Sequence, residues 1–280
     1  VDDALSFNLS NLMFNGDIAE LSNTENTQPA LMSTGIAVLK VLEKITGKKI
    51  HDLCKFACGH SLGEFTALCA SGVISLKDTA KILRIRGRSM QKAVPQGQGA
   101  MAALISSNFK DLGNLLKKVS SLGICQVANE NSDEQVVISG DINAIEMAVK
   151  IAKNYSIKRA IMLNVSAPFH CDLMIPAQEE LKNELNNIKF ENSSVPIICN
   201  FTAYPASDAN ILKENIIYQV TKKVRWKETI NFLGKNGINE LVELGAGKVL
   251  TGITKKSSSK IIAYNIENKI DLEENFNKFN

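Results

Sequence analysis

The sequence predicts an α/β fold, and three observations carry that reading. The first is the stretch Phe56 to Gly72, FACGHSLGEFTALCASG. A short apolar run over residues 55–58 leads into Gly59-His60-Ser61-Leu62-Gly63, and Leu62, Phe65, Thr66, Leu68 and Cys69 then recur at helical spacing. Strand, G-x-S-x-G and helix is the pattern of a nucleophile elbow. The second is a change of rhythm over residues 99–166, which read strand, helix, strand, strand, helix, strand, the order of a ferredoxin-like unit. The third is the return to alternating helices and strands beyond residue 166. The expected architecture is an α/β-hydrolase-like core with a parallel sheet over residues 1–98 and 167–280. A ferredoxin-like βαββαβ subdomain over 99–166 is inserted into it.

Each element has a local reason. Residues 1–26 are polar, with Asn15-Gly16 marking a turn between short helices. Thr27-Gln28-Pro29-Ala30 opens a helix with Pro just inside its start, Leu31, Ile36, Val38, Leu39, Leu42 and Ile45 run along it, and Gly47 stops it. The helix after Ser61 ends at Ser71-Gly72. Residues 76–94 form an amphipathic helix on Ile82, Leu83, Ile85 and Met90, and Pro95, Gly97 and Gly99 form a flexible link. In the inserted unit the strands are expected at 100–105, 124–128, 135–139 and 159–165, and the helices at 109–119 and 142–153. Beyond the loop Ser166-Ala167-Pro168-Phe169-His170, helices are expected at 171–185, 210–220 and 226–235, and strands at 195–200, 239–244 and 261–265. The Asn/Glu/Lys-rich tail is expected to fray.

Composition narrows the function classes. Hydrophobic residues at 45% and charged residues at 22% are ordinary for a globular enzyme. A formal net charge of +3 gives no support for nucleic acid binding, and it is compatible with an acidic partner. The six cysteines, Cys54, Cys58, Cys69, Cys125, Cys171 and Cys199, form no C-x-x-C, so reduced thiols are expected, with Cys54, Cys58 and Cys69 filling core. His51, His60 and His170 have no ligand-like spacing, and no metal site is expected. No apolar run reaches membrane-spanning length and no signal peptide is visible. The start at Val1 and the heavy use of Asn, Lys and Ile place the expected location in a plastid-like organelle or a bacterial cytoplasm.

The chemistry starts at Ser61. Two glycines at 59 and 63 are expected to be needed because side chains there would collide with the neighbouring backbone, leaving Ser61 to project alone. At the start of a helix, outward N–H groups and the helix dipole favour a developing oxyanion. A serine needs a base within hydrogen-bond reach. His60 is adjacent in sequence, so its ring should point elsewhere and orient or pack the site; His51 sits in a polar link. His170, in a loop of the kind that binds ligands in α/β sheets, is the expected base. No acid completes a triad, since Asp172 is expected to face solvent, and a backbone carbonyl can orient the base instead. Arg84, Arg86 and Arg88 alternate through an apolar helix. An arginine there is ordinarily a solvated face, but all three cannot reach water comfortably. A buried guanidinium at Arg86 would match a substrate carboxylate bidentately.

With these residues on the page, the chain resembles the malonyl-CoA:acyl carrier protein transacylases of type II fatty acid synthesis from Val1 to about residue 266. The motifs are TQPAL at 27–31, GHSLGE at 59–64, RGRSMQ at 86–91, GAMAAL at 99–104, APFH at 167–170, Q-x-x-x-x-V-R-W at 219–226 and E-L-G-x-G-K-V-L-T-G at 243–252. The resemblance implies a ping-pong acyltransferase with Ser61 acylated and His170 as its base. The Gln219 main-chain carbonyl would take the place of a triad acid, and the Leu62 N–H would be an oxyanion donor. Arg86 would bind the malonyl carboxylate; Gln28, His60 and Asn131 would line the cleft, and Phe169 would crowd the substrate's α-carbon. It implies malonyl-CoA and acyl carrier protein as partners, a monomer, and no bound cofactor, the CoA thioester being substrate. Lys222, Lys223, Arg225, Lys255 and Lys256 are candidates for steering the acidic carrier. A serine hydrolase of α/β type and a non-catalytic carrier-binding module are the rival readings. The first would be indifferent to Arg86 and the second would form no acyl-enzyme.

Two departures stand out. Ala246 replaces the Pro usual between the two glycines at 245 and 247, which is expected to loosen that loop. Family members open with a strand and an FPGQGSQ-like turn whose Gln supplies a second oxyanion N–H, and the sequence is expected to begin after it. One missing donor costs about 10²–10³ in rate. A chain extended at Val1 by a GQGSQ-bearing segment is therefore expected to turn over faster by that order in a side-by-side kinetic comparison; equal rates would contradict the expectation.

Overall fold

Side-chain caps start two of the three short helices of the N-terminal stretch. α1 (Asp2–Leu5) is followed by α2 (Leu9–Asn15) and α3 (Ile18–Ser22), where Asn8 and Asp17 accept the N–H groups of Asn11 and Ala19. The structure, a computed structural model, describes residues 1–257 and 260–279. α4 (Thr24–Thr46) begins three residues before the expected start. The Asn26 and Thr27 N–H groups bond to Asn23 O at 2.8 and 2.9 Å, which closes a turn ahead of Pro29. Gly47, at φ 70°, ends α4 by returning its N–H to Glu43 O.

After α5 (Ile50–Leu53), β1 (Ala57–Cys58) leads directly to α6 (Leu62–Ala70), and Ser75 caps α7 (Leu76–Lys92). Met32 and Ile36 of α4, Phe65 and Leu68 of α6, and Ile82, Leu83 and Met90 of α7 form one buried cluster. Completely burying each of these side chains contributes about 1.5–3 kcal/mol, so the helix trio supports the elbow rigidly.

The stretch after α7 has its own sheet and core. β2 (Gly99–Ile105), α8 (Leu112–Val119), β3 (Cys125–Glu130), β4 (Gln135–Asp141), α9 (Ile142–Ile151) and β5 (Arg159–Met162) form an antiparallel sheet in the order β3-β4-β2-β5, with Leu104, Leu115, Ile138 and Ile145 buried together. α8 starts later than expected because the Ser106 hydroxyl and the Asn108 side chain take the N–H groups of Asn108 and Lys110 in a turn. β3 runs past residue 128 because Val224 pairs with it: the Val224 N–H bonds to Ala128 O at 2.8 Å and the Glu130 N–H to Val224 O at 2.9 Å. That seam stitches the small sheet to the rest of the chain.

The remaining elements are α10 (Ile175–Leu185), β6 (Ile197–Ile198), β7 (Pro205–Ala206), α11 (Ala209–Tyr218), α12 (Trp226–Lys235), β8 (Glu240–Leu244), α13 (Val249–Lys255), β9 (Ile262–Ile266) and α14 (Lys269–Asn275). The molecule is a mixed α/β fold. Its described strands do not make the single parallel sheet that was expected. β1 pairs in parallel with β6, β7 is antiparallel to β6, and β8 and β9 form a separate parallel pair. A cavity of about 910 Å³ is lined by Ala57 and Cys58 of one set and by Leu241 and Glu243 of the other. The tail is also ordered where fraying was expected. Asn268 caps α14, Lys278 lies 3.6 Å from the Tyr264 ring centroid, and Lys48 Nζ donates to Phe279 O at 2.6 Å.

The two elbow glycines are not equivalent, which corrects the expectation that both are needed for steric reasons. A Cβ at Gly59 would sit 2.1 Å from the backbone of Gly63, whereas a Cβ at Gly63 meets nothing within 4 Å. Gly59→Ala is expected to cost about 1–3 kcal/mol or more through this clash. Gly63→Ala, inside α6, should be neutral or stabilising by up to about 1 kcal/mol. Thermal melts of the two variants check this, and equal losses would refute it.

Candidate active site

The parallel pairing of β1 with β6 brings Asn200 beside the elbow. Its Oδ1 accepts the Ser61 N–H at 2.7 Å and its Nδ2 donates to Gly59 O at 2.7 Å. This brace holds Ser61 at φ 53°, ψ −110°, a conformation costly for a residue with a Cβ and typical of strained nucleophile turns. Ser61 stands at the N-terminal boundary of α6 without a side-chain cap bond, and the Leu62 N–H, first in that helix, donates to no protein acceptor among the described residues. It is free to meet an oxyanion, with the dipole of α6 behind it.

His170 also has positive φ, 57°, and is buried. Its Nε2 lies 2.8 Å from Ser61 Oγ, and its Nδ1 lies 2.8 Å from the Gln219 carbonyl oxygen, at the end of α11. A carbonyl only accepts, so Nδ1 carries the proton and Nε2 of the neutral ring turns its lone pair to the serine hydroxyl. Burial first, and the charge of Arg86 second, push the imidazole down to about 3, so the ring is neutral and its Nε2 lone pair is unprotonated at neutral pH.

Of the three arginines on α7, only Arg86 is fully enclosed, at 2% exposure; Arg84 lies over the Phe7 ring and Arg88 pairs with Glu25. Arg86 Nη1 donates to Gln28 Oε1 at 2.7 Å, and Nη2 donates to Ser61 Oγ and Gln219 Oε1, both at 3.0 Å. Among the described residues its Nε has no partner and no carboxylate pairs with it. Burial lowers its pKa to about 10, with Glu64 acting in the opposite direction, so it stays charged at neutral pH.

The other expected residues lie in a second ring. His60 Nε2 is 3.0 Å from Asn131 Oδ1 and 3.2 Å from Asn129 Nδ2, and its ring centroid is 5.6 Å from that of Trp226. His60 and Asn131 thus bond to each other across the boundary with the small sheet, and neither bonds to Ser61, His170 or Arg86. Phe169 is half-buried and packs against both the α4–α6–α7 cluster and the Met101–Val137 cluster of the small sheet. The expected basic face is partly neutralised. Lys222 pairs with Asp172 at 3.7 Å, Lys223 with Glu130 at 2.7 Å and Arg225 with Glu228 at 2.6 Å, while Lys255 and Lys256 are exposed. Asp172, expected in solvent, is also tied to Gln126.

Two site residues escaped the sequence reading. Asn200 ends an apolar run, and Glu64 is the one charge on the apolar helix after Ser61; a lone polar group at either place was the available signal. Glu64 is 1% exposed, and its Oε2 accepts from Asn200 N at 3.1 Å and from Gln219 Nε2 at 2.9 Å.

The acyl transferase domain family matches residues 1–267. The chain belongs to that family. Among its relatives is the malonyl CoA-acyl carrier protein transacylase of Bacillus subtilis strain 168, 42% identical over 261 residues, which are 93% of this chain and 81% of that protein. The corresponding Escherichia coli K12 enzyme is 36% identical over 90% of this chain and 81% of its own length. Among solved structures, the acyl-carrier-protein S-malonyltransferase of Bartonella henselae superimposes with a TM-score of 0.95 at 44% identity, covering 99% of this chain and 88% of that one. A malonyl-transacylase in complex with a type II polyketide acyl carrier protein matches with a TM-score of 0.94 at 35% identity, covering 99% and 88%. This acyltransferase therefore carries the Ser61–His170 pair on a scaffold shared with transferases.

The depressed imidazole has a pH consequence. A base held below its ordinary pKa stays neutral as pH falls through 6.5. Acylation of Ser61 by a neutral activated ester such as p-nitrophenyl acetate should therefore change little from pH 7 to pH 5. A base with an ordinary pKa of about 6.5 would instead slow it by about 30-fold at pH 5. Stopped-flow burst rates decide between them.

Proposed function

We propose that the protein transfers a malonyl group from malonyl-CoA to the phosphopantetheine thiol of acyl carrier protein, through a malonyl ester on Ser61. The single observation that carries this reading is the buried guanidinium of Arg86, charged, without a carboxylate partner, and 3.0 Å from the Ser61 hydroxyl. A cation so placed calls for an acyl group that ends in an anion. The names of the relatives, and the carrier complex of the malonyl-transacylase described above, support malonyl and acyl carrier protein as the two ends of the transfer.

In this mechanism His170 Nε2 takes the Ser61 proton while Oγ attacks the thioester carbonyl, and the Leu62 N–H faces the developing oxyanion. The C–S bond breaks, and His170 returns the proton to the departing CoA sulfur. The carrier's thiol then attacks the malonyl-serine with the same base. The Gln219 carbonyl holds the imidazolium through Nδ1–H. Arg86 disfavours that imidazolium when alone, so a malonyl carboxylate that neutralises Arg86 also strengthens the base. Selection for malonyl would then appear in the chemical step as well as in binding. Gln28 releases or shares Arg86, Phe169 bounds the pocket near the α-carbon, and His60 and Asn131 keep the small sheet closed over it. The strand order supports reading residues 99–166 as a ferredoxin-like unit inserted in a hydrolase-like core.

Mass spectrometry after mixing with malonyl-CoA is expected to show one malonyl group on Ser61 and none on Ser61→Ala. Arg86→Ala should load malonyl on the order of 10²-fold more slowly, from loss of the charge-assisted contacts, and accept acetyl better. A variant with unchanged preference would favour a generic hydrolase, and an unmodified wild-type serine would favour a non-catalytic module.

A further inference from the structure

Glu64 shares a motif with Ser61 but has no step in the chemistry above. It is a buried carboxyl one side chain away from Arg86, and the two groups communicate through Gln219. Gln219 Nε2 donates to Glu64 Oε2 at 2.9 Å and to Ser61 O at 2.9 Å, which turns Gln219 Oε1 towards Arg86 Nη2 at 3.0 Å. The same residue's main-chain carbonyl orients His170. The other titratable groups around Glu64 are the Cys58 thiol from β1 and the Cys199 thiol just after β6, with His170 reached through Gln219. Burial raises both thiols, to about 12 for Cys58 and well above the ordinary range for Cys199, so neither carries charge at neutral pH. His170 is neutral as well. The enclosed charges of this pocket are therefore one guanidinium and one carboxyl.

A substrate carboxylate that binds Arg86 brings a second anion to the same cation in a dry site. Two carboxylates so placed do not both stay ionised without a large electrostatic cost. We infer that Glu64 takes up a proton from solvent when a substrate carboxylate pairs with Arg86, so that the enclosed site carries no more than one negative charge beside the guanidinium in the free and in the loaded enzyme. The inference rests on Arg86 being the carboxylate site, as proposed above. Desolvation already raises the Glu64 carboxyl to about 7, against the N–H groups of Gln219 and Asn200, the Cys199 thiol and, least of these, the charge of Arg86; a carboxylate on Arg86 cancels that last restraint and adds a like charge of its own. The sign follows. Below pH 7 Glu64 is already neutral and binding needs no proton. Above pH 7 binding must protonate it, so apparent affinity falls with rising pH, by up to about tenfold per unit. Glu64 thereby acts as a positioning residue whose ionised form competes with substrate for Arg86.

The test uses the full chain and malonyl-CoA at pH 7.5 in weak buffer with a pH indicator, with malonyl-Ser61 counted by mass spectrometry in the same burst. Transfer from CoA to serine is itself proton-neutral, because the released thiol stays protonated, and hydrolysis releases a proton and so has the opposite sign. The expected result at pH 7.5 is uptake of up to about three-quarters of a proton per malonyl-enzyme, fading below pH 6. In Glu64→Gln, whose amide oxygen can accept the same two N–H groups, uptake should vanish. The KM for malonyl-CoA should then be flat between pH 7 and 8.5, where the wild-type value rises by up to about 15-fold. Adduct formation without proton uptake in the wild type overturns the inference and leaves the malonyl reading standing, whether or not the variant folds. Uptake that persists unchanged in Glu64→Gln also overturns it. Absence of any malonyl adduct overturns both.

Discussion

A guanidinium enclosed by protein without a carboxylate against it is the constraint around which the rest of the molecule is arranged. Desolvating such an ion costs several kcal/mol unless it is paired and hydrogen-bonded. The chain meets that cost only partly, with neutral oxygens from Gln28, Gln219 and Ser61, and with Glu64 one side chain further away. The α4–α6–α7 cluster keeps the cation from swinging out to water. The protein thus holds a site whose electrostatics are completed by an anionic guest. Burial, and then the same charge, keep His170 neutral.

Backbone strain and side-chain bracing are coupled at this site. Ser61 and His170 both sit at positive φ, and their partners come from distant segments: Asn200 after β6 holds the serine, and Gln219 after α11 holds the histidine. Gln219 does this with its main chain while its side chain links Glu64 to Arg86. A shift of α11 would therefore move the base and the cation together. The small sheet closes the far side through the Val224 seam and the His60–Asn131 bond.

Much of this was legible in the sequence where local chemistry and periodicity agree. The elbow, the apolar helix after it and the βαββαβ rhythm follow from residue spacing. Arg86 stood out because alternating arginines conflict with an apolar helix, and the structure resolves the conflict by burying one, stacking one on Phe7 and pairing one with Glu25. Gln219, Gln28 and Asn131 came from family motifs, since nothing in their own surroundings in sequence marks them. Asn200 and Glu64 were missed because their partners are 139 and 155 residues away in sequence, and long-range hydrogen bonds leave no periodic trace. The split of the sheet and the ordered tail were missed for the same reason: strand pairing and the Lys278–Tyr264 contact are tertiary facts.

The measurement that bears most directly on the account is a crystal structure of the malonyl-Ser61 enzyme. The account predicts the malonyl carboxylate oxygens about 2.7–2.9 Å from the Arg86 guanidinium nitrogens, with the Gln28 or Gln219 contact given up to admit them. A carboxylate turned to solvent, with Arg86 still bonded to both glutamines, would contradict it.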